Sequence, residues 1–243
     1  MRLAQERRTL DSVIPLSDGV STKRFPVVNT LLIAVNVVVW LFYELPHLDS
    51  SIVHASFYPC TVAGSCHGPE PWGLSWLTAM FLHASWSHIA GNMVFLAVFG
   101  KNVEDVFGHW RYLALYLAGG FVAAMTQTAA TLLTGGAAQG LVPTLGASGA
   151  IAAVLGAYIV LYPNSRVLGL FVIFPVRLSA WFFLGAWFVY QVIEANASLL
   201  STTGSNGGVA FFAHVGGFVF GFIVARLLSH SRSSVSSAPQ TVT

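Results

Sequence analysis

Six apolar stretches dominate this chain, at about 27–45, 86–106, 110–133, 146–163, 178–197 and 209–229. A helix needs roughly 20 mostly apolar residues to cross the hydrocarbon layer of a bilayer. Most of the six reach that length. The second and fourth are rich in small residues and stand out less by hydropathy. Only 8% of the residues are charged, against about 25% in a soluble domain. A lipid bilayer is therefore the solvent this chain is built for. The expected fold is an all-α membrane protein, a bundle of six transmembrane helices.

The basic residues test that drawing. Arg2, Arg7, Arg8, Lys23 and Arg24 precede the first span, and Lys101 and Arg111 flank the turn between the second and third. Arg166 and Arg177 lie between the fourth and fifth, and Arg226 and Arg232 close the sixth. All eleven fall on one side of a six-span chain and none on the other. By the positive-inside rule that side is cytoplasmic, with both termini there. The domain reading is a cytoplasmic segment at 1–24, a membrane domain at 25–230 and a Ser-rich tail at 231–243 read as disordered. The N-terminal 24 residues are polar, so the first span reads as an uncleaved anchor. No basic run accompanies the aromatics, so nucleic acid has no support as a partner. No internal repeat of the transporter kind is present.

The outward loops are 46–85, 134–145 and 198–208. The first holds Trp72, Trp76 and several prolines and suits the membrane interface. It also holds both cysteines, Cys60 and Cys66. On the oxidising side they make either a local disulfide or two free thiols.

Strongly polar side chains within spans are expensive and mark function. Four stand out: His88, Asn92, Ser148 and His214. Counting at 1.5 Å per residue from the outer helix ends puts Ser148, Asn92 and His214 at one level, roughly 7–9 Å down. His88 and Asn92 are four residues apart and share a face. Ser148, Ala152 and Gly156 form one small-residue stripe, and His214, Gly217 and Gly221 another. Such stripes let two helices approach closely, which brings Ser148 to His214.

The chemistry follows from the types. Ser148 sits in Gly146-Ala147-Ser148-Gly149 at a helix N-terminus. The glycines leave room for a substrate backbone, and free N–H groups of a first turn can hold an oxyanion. A neutral histidine can take the serine proton. Asn92 can donate a side-chain N–H to the same oxyanion, and His88 can assist. Glu194 is the nearest acid on that face, near the outer end of the fifth span, but no carboxylate is positioned to orient His214. A dyad is therefore favoured over a triad.

These residues resemble a known family, the rhomboid intramembrane serine proteases. His83, His88 and Asn92 in FLHASWSHIAGN resemble its second-helix segment. Gly146-Ala147-Ser148-Gly149 resembles its nucleophile motif, and Ala213-His214 with Gly217 and Gly221 its sixth-helix base motif. Glu104 matches a family glutamate at the cytoplasmic end of the second helix. The resemblance spans about 25–230. It implies Ser148 as nucleophile, His214 as general base, and an oxyanion hole of Asn92, His88 and the Ser148 N–H. It implies cleavage of transmembrane protein substrates near the outer surface, with no metal and no cofactor. It also implies substrate access beside the fifth helix under a cap at about 198–208. Two features depart from the family pattern. Ala152 stands where many members carry an aromatic that stacks on the histidine, and the first outer loop lacks a Trp-Arg pair.

Plainer readings exist for each residue. G-x-S-G arises by chance in a chain with 23 glycines. His214 alone reads as a packing histidine, and His88 with Asn92 as interhelical glue. His83 precedes the second span by helical count and reads as structural, facing away from His88. A zinc site from His83, His88 and His214 lacks H-E-x-x-H and a nearby carboxylate. A catalytically inactive rhomboid-like protein that binds membrane helices is the alternative function. A transporter is disfavoured by the missing repeats. The membrane is expected to be a bacterial inner membrane with the site facing outward.

Overall fold

The computed structural model describes residues 13–134, 139–171, 174–200 and 210–236. Helices occupy all six apolar stretches. Helix α1, Val27–Val39, runs through a π turn at Trp40–Glu44 and a 3-10 turn at Leu45–His47 into α2, Leu48–Ala55. Two short helices follow in the long loop, α3 at Pro59–Val62 and α4 at Trp72–Ala79. Helix α5, Trp86–Phe95, passes through a π turn at Leu96–Gly100 into α6, Lys101–Phe107. Then come α7, His109–Thr134; α8, Ser148–Leu161; α9, Ala180–Leu200; and α10, Phe211–Ser236. Three helical stretches, Val27–Ala55, His109–Thr134 and Phe211–Ser229, are long and apolar enough to cross a bilayer, and Ser148–Leu161 is a shorter apolar helix.

The all-α expectation needs one correction. Strands β1, Val13–Ser17; β2, Arg166–Phe171; and β3, Phe174–Ser179 form an antiparallel sheet in that order. Val167 pairs with Leu178 and Leu168 with Arg177. Along β2, exposed Arg166 gives way to buried Val167, half-buried Leu168 and buried Gly169. This is the period-two pattern of a strand with one covered face. The sequence-based spans absorbed this segment into the turn between two helices because six residues are too few to stand out. The last helix also continues to Ser236, six residues into the stretch read as a tail. Residues 1–12, 237–243 and the cap segment 201–208 lie outside the described residues.

Helix α8 is the core. Every residue from Gly149 to Tyr158 is buried. No polar side chain interrupts that run until Tyr158, so the helix is apolar all round and suits a fully enclosed position. It packs most heavily on α10 and then on α7. The contact with α10 is backbone against backbone. A Cβ at Gly221 would fall on the Ala153 carbonyl, one at Gly217 on the Gly149 carbonyl, and one at Gly156 on the Phe218 carbonyl. The two small-residue stripes thus meet along their length, as close-packed membrane helices require.

At the basic end, carboxylates tie the elements together. Glu104 accepts from the N–H groups of Val28 at 2.9 Å and Asn29 at 2.7 Å, and lies 2.5 Å from His109 Nδ1. It thereby caps the free first turn of α1 from another helix. Asp105 accepts from the N–H groups of Lys23 and Arg24, both at 3.0 Å. Buried Asp18 accepts from Tyr158 at 2.8 Å and from Asn102, with Lys101 3.7 Å away. Glu104 and Asp105 thus reach beyond the second helix and anchor the chain that leads into α1. Gly108 ends α6 with φ +78°, a conformation glycine adopts without strain.

At the opposite end the loop of α2, α3 and α4 is stapled by a Cys60–Cys66 disulfide. Phe57 and Thr144 exchange backbone hydrogen bonds of 3.1 and 2.7 Å. This bridge fastens the loop to the segment that leads into α8.

Candidate active site

Ser148 is the first residue of α8. Ahead of it, Gly146 holds φ +120° and donates its N–H to the Ala79 carbonyl at 2.8 Å. A Cβ at Gly146 would come within 2.9 Å of Cε1 and Nε2 of His88 and 3.7 Å of the Ser148 hydroxyl. Glycine is needed there twice over, for its dihedral and for the space. The same contact places the His88 ring beside the serine.

The Ser148 Oγ lies 2.7 Å from His214 Nε2. His214 sits in the first turn of α10 and is 8% exposed. Its other nitrogen, Nδ1, lies 2.7 Å from Oε1 of Gln191 on α9. The ring is flanked by Trp187 at 5.9 Å with an interplanar angle of 37°, and by the edge of Phe211 at 6.5 Å. Trp187 precedes Gln191 by four residues, so both share one face of α9. Ala152 leaves no ring on α8; Trp187 supplies one from α9.

Asn92 lies on α5, buried, and among the described residues its Nδ2 has no hydrogen-bond partner. Such an orphaned donor is rare and calls for an explanation. His88 Nδ1 accepts from the Ala84 N–H at 3.4 Å. With Nδ1 accepting, the ring proton belongs on Nε2, the atom beside Gly146. Ser148, His88, Asn92, Gln191 and His214 all line one cavity of about 670 Å³, along with Trp187 and Leu155. A serine at a helix N-terminus, bonded to an imidazole and sharing a cavity with two side-chain donors, can carry out acyl transfer.

His83 differs from its expected orientation. Its ring meets that of His88 edge to face at 5.0 Å. Helix α5 begins only at Trp86, with Ser85 as cap, so helical spacing does not relate the two histidines. His83 is fully buried, and its N–H donates to Glu44 of the first helical stretch at 2.7 Å. It supports His88 from behind. Among the described residues no group of three or more His, Cys, Asp or Glu is arranged around a possible metal position.

Gln191 is the site residue that the sequence reading passed over. It is a strongly polar side chain within the fifth apolar stretch. The rule that singles out Asn92 applies to it equally, and the acid three residues on, Glu194, masks it in the sequence.

Residues 70–231, two thirds of the chain, match the rhomboid domain. The chain belongs to the rhomboid family. It is 29% identical over 211 residues to the human presenilin-associated rhomboid-like protein, mitochondrial, covering 85% of this chain and 48% of that protein. It is 32% identical over 152 residues to the RHOMBOID-like protein 12, mitochondrial, of Arabidopsis thaliana, covering 58% of this chain and 42% of that one. Rhomboid-like protein 11, chloroplastic, of the same plant is 28% identical over 167 residues, covering 63% of this chain and 51% of its own length. The chain spans about half the length of the curated relatives it matches. All of Ser148, His214, Asn92 and His88 fall inside the matched region.

Proposed function

We propose that this rhomboid is an intramembrane serine endopeptidase that cuts transmembrane segments of other membrane proteins. The observation that carries the reading is the 2.7 Å contact between Ser148 Oγ and His214 Nε2 at the start of the most buried helix. His214 takes the hydroxyl proton as Oγ attacks the scissile carbonyl carbon. The carbonyl oxygen becomes an oxyanion, held by the Ser148 N–H, Asn92 Nδ2 and His88 Nε2. His214 then gives its proton to the leaving amine as the peptide C–N bond breaks. Water, deprotonated by His214, hydrolyses the acyl-enzyme and regenerates Ser148. Gly149, Gly217 and Gly221 hold the two helices close enough for this, and Gly146 leaves space beside the hydroxyl. No metal or cofactor is assigned a step.

The proposed topology has six spans with both termini on the cytoplasmic side. Six helical stretches at the six apolar runs support it, as does the clustering of the basic residues. The active site then faces outward. A bacterial inner membrane is the proposed compartment, though the charge rule sets only the orientation; the relatives named above are mitochondrial and chloroplastic and lend it no support.

The test is a synthetic transmembrane substrate in liposomes, with fluorophosphonate labelling in parallel. Wild type should cleave and label. Ser148→Ala and His214→Ala should lose cleavage by at least about a thousandfold. Equal cleavage by all three, or no labelling of correctly folded wild type, refutes the reading.

A further inference from the structure

The geometry points to Gln191 as a positioning residue that fixes the ring tautomer of His214. The inference rests on the Ser148–His214 reading above and adds a third member to that pair. A base must present an unprotonated nitrogen to the hydroxyl. Nε2 faces Ser148 Oγ at 2.7 Å, so the ring proton has to sit on Nδ1. A buried Nδ1–H without an acceptor would be costly. The Gln191 carbonyl oxygen accepts it at 2.7 Å. Gln191 is itself only 5% exposed, so the bond is largely shielded from bulk solvent.

A neutral amide does part of what a carboxylate does in other serine enzymes. It selects the tautomer and the ring plane. It does not offer a full negative charge to the imidazolium that forms during attack. The partner also comes from α9, whereas the nucleophile and the base sit on α8 and α10. The base is therefore in register only when three helices are correctly placed. Trp187, one turn earlier on α9, flanks the same ring at 5.9 Å. Helix α9 thus supplies both constraints on His214 that α8, with Ala152, does not.

The test uses the full chain in detergent, as wild type, Gln191→Leu and Gln191→Glu. Leucine keeps the bulk and removes the acceptor; glutamate keeps a carbonyl oxygen at the same reach. Gln191→Leu should lower kcat by about 10–100-fold, the range for one hydrogen bond to a group that becomes charged. KM should stay within about twofold, because the residue is not assigned a substrate contact. Gln191→Glu should recover most of the loss. Nitrogen NMR of the His214 ring supplies a readout that loss of packing does not imitate. Wild type and Gln191→Glu should show the proton on Nδ1, and Gln191→Leu a mixture of tautomers. Wild-type kcat in Gln191→Leu, or an unchanged tautomer, overturns the assignment. An equal loss in the leucine and glutamate variants with unchanged tautomer reduces the residue to packing and overturns it as well. If wild type neither labels with fluorophosphonate nor cleaves, the dyad reading fails, and the NMR comparison still decides whether Gln191 sets the tautomer.

Discussion

The two ends of this bundle treat their buried carboxylates in opposite ways, although Asn102 Oδ1 at the basic end has no partner among the described residues. At the basic end, every carboxylate oxygen of Asp18, Glu104 and Asp105 has a partner. Asn29 closes the network by accepting from Tyr112 at 2.6 Å. At the opposite end, Asn92 Nδ2, Glu44 Oε2 and both ring nitrogens of His83 are buried with no partner among the described residues. A network of bonded carboxylates holds a fold; each orphaned buried donor or acceptor costs about 1–3 kcal/mol. Such groups persist where function uses them. The basic end is therefore read as the frame, and the opposite end as the working part.

The sharpest way to break this contrast is to mutate one residue from each end. Glu104→Ala uncaps α1 and strands the buried Asn29 N–H, the half-buried Val28 N–H and His109. Each buried donor left without a partner costs about 1–3 kcal/mol. Thermal unfolding in detergent should show it as a large drop in Tm, and kcat of the surviving folded fraction should change little. A loss of kcat without a loss of Tm would make Glu104 part of the working end.

Asn92→Ala should do the reverse. On the proposed reaction it removes one oxyanion donor, worth about 10²–10³ in kcat. Because that donor has no partner to lose, Tm should hold or rise slightly. Matched kinetics and thermal unfolding check both halves. A drop in Tm with unchanged kcat would return Asn92 to interhelical glue.

Much of this contrast was legible in the sequence, and the reasons differ by residue. Ser148, His214, Asn92 and His88 announce themselves because polar side chains in apolar spans are rare. The glycine stripes give the helix contact because a close approach leaves no alternative to small residues. Three features were not legible. The sheet escapes because Val13–Ser17 and Arg166–Ser179 are far apart in sequence, and each strand is short. The contact of His83 with His88 escapes because His83 precedes the first helical residue, Trp86, so helical spacing does not apply to it. The reach of Glu104 to the first turn of α1 spans 75 residues, and no local pattern encodes it.

The disulfide belongs to the working end but acts on its wall. A Cβ at Gly140 would lie 3.2 Å from Cys60 Cβ, and the Phe57–Thr144 bridge connects this loop to Gly146 and Ser148. Removing a short-loop disulfide costs about 2 kcal/mol. The double variant Cys60→Ser, Cys66→Ser should lower Tm accordingly, with a smaller loss of kcat than Asn92→Ala causes. Unchanged Tm would show that the loop is held by its backbone bridge alone.

The smallest expected effect is a pH dependence carried by His83, in the loop ahead of α5. Burial, with His88 beside it, pushes its imidazole down from about 6.5 to about 3. The folded protein therefore keeps His83 neutral where the unfolded chain protonates it. Below pH 6.5 the unfolded state binds more protons, so stability falls as pH falls through the window from 6.5 to 3. By pH 5.5 the loss attributable to His83 should be about 1 kcal/mol. Glu104 and Asp18, with all their oxygens bonded, define a frame that this titration does not touch. His83→Gln should flatten the curve between pH 7 and 5.5 relative to wild type, measured as Tm against pH. An unchanged slope would mean that acid enters the molecule elsewhere, and the buried histidine behind His88 would then be bonded in solution rather than orphaned.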